Sequence, residues 1–258
     1  MDAWWVVIGT GSQLLPKNAY DPLEASFAPF SDPKQVGSPF EESGFGFVQI
    51  ARYTETPIGP YNEITFLPGQ FNVSGVRNDF QHPYQRLTRV YVDSPLAAYN
   101  LRANWGIPAH LAKFEIFEPD KAKPGAIIKV YPPGATEEKP FFTADFNGPG
   151  VPPEPFATNA TEPFAKYATG FAQPPLPSAE KLELVATDNW LLTKAVVSTE
   201  TAYWGMIATV TEPSETDLDT TGAPLLSWWP AVLPLTSVVM KDALLALPLP
   251  DIIPASQP

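Results

Sequence analysis

Short apolar runs of this chain are interrupted by glycine and proline; some are apolar at nearly every position, as at 4–8, and others alternate apolar with polar residues, as at 112–117. Such alternation is typical of β-strands. The 32 prolines are spread through the chain, which favours short strands joined by turns over long helices. The runs at 182–187 and 191–197 also suit helices. Strands are predicted at residues 4–8, 45–50, 61–67, 86–93, 112–117, 127–131, 141–146, 182–187, 191–197 and 203–211. The run at 225–239 is apolar enough to close the core.

One short helix is predicted at residues 96–105. Ser94 is a good N-cap residue, and Pro95 suits the first helical position because its missing N–H would have no partner there. Gly106 supplies a stop and Pro108 prevents continuation. The sequence therefore predicts a strand, a short helix, a tight elbow and another strand, with an elbow backbone rigid enough to position a functional side chain.

Four short motifs give this region a family resemblance. They are GPYNE at 59–63, LPG at 67–69, RVYV at 89–92 and NWGIPAHLA at 104–112. Together they resemble the acetoacetate decarboxylase superfamily, most closely its fungal and bacterial decarboxylase-like branch, over about residues 44–118. The resemblance implies a mainly β fold: a closed or cone-shaped, mostly antiparallel β-barrel with a few short helices. We expect one domain over residues 1–247 and a Pro-rich C-terminal tail over 248–258.

The resemblance also implies a catalytic lysine directly after the elbow proline, which forms a Schiff base with a keto substrate. This chain has Ala109 there, and alanine cannot form an imine. A neighbouring family lysine corresponds to His110, and one family glutamate corresponds to Glu63. A second acidic position of the family falls on Val48. The family's N-terminal arginine has no counterpart, because the first arginine here is Arg52.

The candidate catalytic residues are Glu63, His110 and Arg102. Glu63 is either a cavity carboxylate with a raised pKa or an outward-facing strand carboxylate. His110 is either a general acid/base or a hydrogen-bonded core histidine, and Arg102 either anchors a ligand or pairs with an acid. The candidate substrate-binding residues are Tyr61, Trp105, Ala109, Val48 and Arg89.

Composition excludes several other functions. The net charge of −12 and the lack of a basic tract make nucleic acid and anionic membranes poor partners. Cysteine is absent and only two histidines occur, so we expect no thiol chemistry, no metal site and no cofactor. No apolar run approaches the ~20 residues of a membrane span, and no signal peptide is evident. We expect a cytoplasmic protein with an apolar small-molecule partner; a homo-oligomer is compatible with the sequence.

Three functional hypotheses remain open at this point. The chain is an enzyme that acts without a Schiff base on an apolar keto or polyketide-like molecule, as a cyclase, isomerase or lyase of secondary metabolism. Alternatively, it is a non-catalytic barrel that binds a small molecule. In the third hypothesis Ala109 replaces the lysine of an ordinary Schiff-base decarboxylase or aldolase. The aromatic content of 12% fits the first two hypotheses equally.

Overall fold

The computed structural model describes residues 1–10, 45–67, 70–71, 84–120, 123–133, 139–147, 153–158, 170–176, 185–211 and 237–254. This part is mainly β, with one helix, α1 (Pro95–Trp105). The strands are β1 (Asp2–Thr10), β2 (Phe45–Tyr53), β3 (Tyr61–Leu67), β4 (Gln70–Phe71), β5 (Tyr84–Gln85), β6 (Arg89–Val92), β7 (Ala109–Leu111), β8 (Lys113–Phe117), β9 (Ala126–Tyr131), β10 (Phe142–Asn147), β11 (Glu154–Ala157), β12 (Phe171–Gln173), β13 (Asn189–Thr193), β14 (Val196–Trp204), β15 (Ile207–Thr211), β16 (Ser237–Lys241), β17 (Leu244–Ala246) and β18 (Asp251–Pro254).

The described strands form three sheets. The largest has nine strands in the order β11-β14-β16-β1-β2-β3-β6-β7, with β17 also paired to β14, and it curls strongly into a half-barrel. A four-stranded sheet has the order β15-β10-β9-β8, and a five-stranded sheet has the order β18-β13-β12-β5-β4. Among the described pairs only β6–β7 and β5–β12 are parallel. The predicted mainly β, mostly antiparallel fold is confirmed.

Helix α1 forms where the local sequence signals predict it. The Ser94 side chain accepts a hydrogen bond from the backbone N–H of Ala97 at 3.3 Å, which satisfies one of the unpaired donors of the first turn. Gly106 ends the helix with a left-handed φ of 62°, and its N–H donates to the carbonyl of Arg102 at 3.0 Å. The helix connects β6 to β7, so this segment is a parallel crossover.

The nine-stranded sheet has a different hydrophobic core on each face. One core contains Trp4, Ile64 and Tyr91, and it packs on the four-stranded sheet through residues such as Ile128 and Phe142. The second core lies on the opposite face. It includes Trp5, Phe47, Val90 and Ala109, and it is covered by Ala97, Ala98 and Leu101 of α1. Strand alternation separates the two cores, because neighbouring residues point to opposite faces.

Several strand boundaries differ from the prediction. The expected strand at 86–93 is reduced to β6, and the expected strand at 203–211 is divided into β14 and β15 at Gly205, which has a φ of 67°. The described part of the 182–187 run contributes one isolated bridge, between Thr187 and Leu176. The predicted tail also contains structure, because β18 at residues 251–254 pairs antiparallel with β13. The run at 225–236 lies outside the described residues.

Candidate active site

A cavity lies on the face of the nine-stranded sheet that α1 covers. It has a volume of about 60 Å³ and is partly open to solvent. Aliphatic side chains from α1 and the elbow, Leu101 and Ile107, form part of the wall. The aromatic wall consists of Trp5, Phe47, Tyr53, Tyr61 and Phe171. The polar groups are Gln49, Glu63, Thr65 and Thr158. Within the described part of the chain, the cavity lining includes no lysine, arginine or histidine.

The register between β2 and β3 brings most of the polar lining together. Ala51 pairs with Glu63, Gln49 pairs with Thr65, and Tyr53 pairs with Tyr61. Directly paired residues of antiparallel strands project to the same face of a sheet. Because Ala51 has only a methyl group, it leaves space beside the carboxyl group of Glu63. The floor of the cavity is therefore a short polar strip on two adjacent strands.

Glu63 is the one ionisable acid of this strip. Its side chain is 6% exposed, and its Oε1 accepts a hydrogen bond from the hydroxyl of Thr65 at 2.7 Å. Burial raises the pKa of Glu63 from 4.5 to about 7, and the hydrogen bond from Thr65 lowers the pKa only in part. A carboxyl group with a pKa near neutrality can both accept and donate a proton under physiological conditions.

Two tyrosines stand beside this carboxyl group. Their rings stack with centroids 4.6 Å apart and an interplanar angle of 29°. Burial raises the pKa values of Tyr53 and Tyr61 well above the ordinary value, and the charge of Glu63 raises both further. Both hydroxyls therefore remain protonated at neutral pH and can act as hydrogen-bond donors.

The elbow after α1 places Ala109 on the same face of the sheet. Ala109 pairs with Val90 of β6, and both belong to the core that contains the cavity-lining residues Trp5 and Phe47. The alanine methyl group is fully buried. Position 109, where the sequence resemblance leads us to expect a lysine, thus lies in the core beside the cavity, and its alanine offers no nucleophile.

Three candidate residues lie on the other face of the sheet. His110 pairs with Tyr91, and the two rings lie 6.3 Å apart in a tilted arrangement. Val48 belongs to the core beneath the four-stranded sheet. Arg89 pairs with Phe66 of that same core, so it also points away from the cavity. The structure therefore does not bring these three residues together with Glu63.

The remaining candidates belong to α1. Arg102 is 1% exposed, and its Nε donates to the carbonyl oxygen of Val185 at 3.1 Å. Trp105 packs against the cavity-side core, and its Nε1 donates to the carbonyl oxygen of Pro248 at 2.8 Å. Neither side chain belongs to the described cavity lining. Among the predicted site residues, the cavity is lined by Glu63 and Tyr61, with Ala109 in the adjoining core.

Sequence reasoning missed several lining residues. Gln49 and Tyr53 share the parity of Phe47 along β2, and Thr65 shares the parity of Glu63 along β3. This parity was a usable signal for Thr65, because residues two positions apart lie on one face of a strand. For Gln49 and Tyr53 this signal was insufficient, because alternation along the strand does not reveal which face of β2 carries the cavity. Thr158 and Phe171 come from distant segments that carry no motif.

The chemistry available in this cavity is proton transfer and hydrogen bonding. Glu63 can exchange a proton, and the tyrosine hydroxyls and the Gln49 amide can donate hydrogen bonds to an oxygen atom of a ligand. Among the described residues, no group of three or more His, Cys, Asp or Glu side chains could hold a metal ion. The described helix α1, with 11 residues, is too short to cross a membrane.

Comparison with known proteins identifies the fold. No family model matches the chain, and no curated protein matches it. Acetoacetate decarboxylase from Legionella pneumophila aligns with a TM-score of 0.64 and 13% identity, over 98% of this chain and 84% of that chain. The enduracididine biosynthesis enzyme MppR aligns with a TM-score of 0.61 and 12% identity, over 99% and 86% of the two chains.

A third similar structure is an acetoacetate decarboxylase-like enzyme from Sphingomonas wittichii. It aligns with a TM-score of 0.54 and 11% identity, over 98% of this chain and 91% of that chain. All three alignments include nearly the whole chain, whereas the identities are too low to transfer an activity. The chain therefore has the fold of acetoacetate decarboxylase.

Proposed function

We propose that this protein is an enzyme that transfers protons at the carbon next to a carbonyl group, without a Schiff base. The observation that carries this proposal is the carboxyl group of Glu63, which lines an apolar cavity and has a pKa of about 7. The alanine at position 109 removes the amine that imine chemistry requires. Acid/base chemistry is the catalytic resource that remains in the described lining.

The proposed reaction begins with a keto compound bound against the aromatic wall. The Glu63 carboxylate takes a proton from the carbon adjacent to the carbonyl, and the electron pair of the broken C–H bond moves to the carbonyl oxygen. The protonated hydroxyl of Tyr61 donates a hydrogen bond to that developing oxyanion. In an unsaturated ketone, the electron pair returns from the oxygen through the conjugated double bond to the far carbon, which takes the proton back from Glu63 and completes an isomerisation. In a diketone, the enolate carbon forms a bond to the second carbonyl carbon, and the oxygen of that carbonyl takes the proton from Glu63, which completes a cyclisation.

Similar structures support a carbonyl substrate. MppR has been observed in complex with pyruvate, and also with the condensation product of pyruvate and imidazole 4-carboxaldehyde. At least one protein of this fold therefore accommodates a condensation product of two carbonyl compounds. We extend this only to the substrate class, an apolar carbonyl compound in this chain, because the sequence identity to MppR is 11–14%.

Deuterium exchange tests the proposal directly. The neutral ketone 4-phenylbutan-2-one is incubated with the protein in D₂O, and exchange at the carbons beside the carbonyl is followed by NMR. We expect exchange faster than in buffer, and a loss of about 10²-fold or more in Glu63→Gln, the usual scale for removal of a general base. Glu115→Gln is the matched control, because that carboxylate is exposed and lies on β8 of another sheet.

Two outcomes would contradict the proposal. Exchange that is unchanged by Glu63→Gln would show that this carboxyl group is not the base. Binding of the ketone without any exchange by the wild type would instead support a non-catalytic binding barrel. A tyrosine contribution is tested separately with Tyr61→Phe, which removes the hydroxyl donor but keeps the ring stacked on Tyr53.

A further inference from the structure

The charged groups of the nine-stranded sheet are distributed unevenly between its two faces. On the face of the Trp4 core, Arg52 and Lys241 both pair with Glu118, the arginine at 2.7 Å. The two cations also lie over the Trp4 ring, at 5.6 and 5.3 Å. Within the described chain these basic side chains are therefore committed to acids on the face that does not carry the cavity.

The cavity face has an acid, Glu63, for which the described part of the chain shows no basic partner. The hydrogen bond that Glu63 makes within the described chain comes from the neutral hydroxyl of Thr65. The other described polar groups of the lining, Gln49 and Thr158, are uncharged, as are the tyrosine hydroxyls. A ligand carboxylate placed here would meet a second negative charge and no described positive one, in surroundings that are mainly apolar.

We propose that this cavity selects its ligand by charge, and that it admits uncharged carbonyl compounds while excluding carboxylates of the same shape. The ligand class is thus a neutral ketone, aldehyde or ester with an apolar body, as opposed to a keto acid. This inference rests on the cavity assigned in the proposed function and names the substrate class of that same site. It concerns admission to the cavity, so it can be tested without any turnover.

The size of the discrimination follows from the geometry of the strip. Gln49 and Glu63 are diagonal neighbours on the cavity face, about 7–8 Å apart by the usual spacing of such pairs. Two like charges at that distance, with an effective dielectric constant of about 20, disfavour a bound anion by roughly fiftyfold. Partial ionisation of Glu63 and water at the mouth reduce the effect. We therefore expect a ten- to fiftyfold preference for the neutral ligand near Gln49.

The absence of cysteine makes this measurable with a single thiol. The Gln49→Cys variant places a thiol in the cavity, and Tyr99→Cys provides an exposed control on α1. Each variant is alkylated at pH 8 in 0.3 M salt with iodoacetamide, which is neutral, and with iodoacetate, its carboxylate counterpart of nearly equal size. The rate ratio of the two reagents cancels differences in thiol ionisation. Salt screens the field of the acidic protein as a whole.

The expected result is a ratio of iodoacetate to iodoacetamide rates at least tenfold lower in Gln49→Cys than in Tyr99→Cys. Adding Glu63→Gln to Gln49→Cys should bring the ratio back to within about twofold of the control. Lowering the pH to 6 should raise the ratio in Gln49→Cys but not in the double variant, because Glu63, with a pKa of about 7, then becomes protonated.

Equal ratios in the cavity and control variants would overturn the inference, as would a low ratio that persists after Glu63→Gln. Failure of both reagents to reach the cavity thiol would also overturn it, because an admitted neutral ligand is part of the claim. These outcomes are independent of deuterium exchange. Charge selection with no exchange would refute the proposed reaction alone, and exchange without charge selection would refute this inference alone.

Discussion

Ionisation of Glu63 makes the folded protein less stable as the pH rises. Burial raises the folded-state pKa of Glu63 to about 7, above its ordinary value of 4.5. Between these two values the unfolded chain loses this proton more readily than the folded chain does. The destabilisation is therefore absent well below pH 4.5, grows as the pH rises and is complete above about pH 7. Glu63→Gln removes the titrating group and should remove this part of the pH dependence.

The magnitude follows from the separation of the two pKa values. Each pH unit of separation corresponds to about 1.36 kcal/mol, so a separation of 7 − 4.5, or about 2.5, gives a limit of about 3.4 kcal/mol. At pH 5 roughly 0.8 kcal/mol of this is already present, because the unfolded carboxyl group is mostly ionised, and at pH 8 nearly all of it is present. Between pH 5 and pH 8 the wild type should lose about 2.5 kcal/mol relative to Glu63→Gln.

Urea unfolding of the wild type and of Glu63→Gln, at pH 5 and at pH 8, measures this effect. The double difference is the loss in free energy of unfolding between the two pH values in the wild type minus the same loss in Glu63→Gln. Glu115→Gln serves as the control and should not show it, because burial does not raise the pKa of that exposed carboxylate above its ordinary value; its hydrogen bond from Tyr131 lowers the pKa. A double difference below about 0.5 kcal/mol would mean that Glu63 ionises in the fold as freely as in water. The opposite sign would mean that a cation pairs with it. Thr65→Val should enlarge the difference, because it removes the hydrogen bond that lowers the pKa of Glu63.

Three further predictions test residues around the site. Gly106→Ala should lower the free energy of unfolding in urea by about 1 kcal/mol, because residue 106 has a left-handed φ of 62° and its Cβ would meet a methyl group of Leu191 at 3.1 Å. An unchanged free energy of unfolding would refute this. Lys241→Met should cost about 1.5–3 kcal/mol at pH 7. The loss should shrink as the pH falls through the folded-state pKa of Glu118, which its cations hold below the ordinary value, because a protonated Glu118 no longer pairs with Lys241. A loss independent of pH would contradict this. Ala109→Lys should form an adduct with 4-phenylbutan-2-one that borohydride traps and mass spectrometry detects, because apolar surroundings keep a buried amine neutral and nucleophilic. The absence of an adduct would mean that position 109 does not open to the cavity. It would also exclude the hypothesis that Ala109 replaces a Schiff-base lysine.

Local signals predicted local structure well. The capping residues Ser94 and Gly106 fix α1 within its own sequence, so the helix and the elbow could be read without knowledge of the rest of the chain. Strand β18 shows the opposite case. Its pairing with β13 joins residues about sixty positions apart, and nothing in the Pro-rich sequence after residue 248 specifies that partner.

The sequence predicted which residues of a strand share a face of the sheet, but it did not predict which of the two faces carries the cavity. Alternation along β7 correctly separates Ala109 from His110, but it does not say which of the two faces the cavity. Val48, which was placed by the family resemblance, lies one position from the cavity-lining Gln49, and one position along β2 exchanges the two cores. The register between β2 and β3 decides which side chains of β2 lie on the same face as Glu63, and this register depends on contacts among several strands.

The separation of the two faces also explains why one carboxyl group can dominate the cavity. In β2, Ala51 and Tyr53 point toward the cavity, whereas Arg52, between them, points toward the ion pairs around Trp4. Shifting β2 by one residue against β3 would exchange these directions and place a guanidinium beside Glu63. That charge would lower the pKa of the carboxyl group and stabilise a bound anion. The register of a single strand pair thus keeps Glu63 protonatable near neutral pH, and both the proposed proton transfer and the exclusion of carboxylates depend on that register.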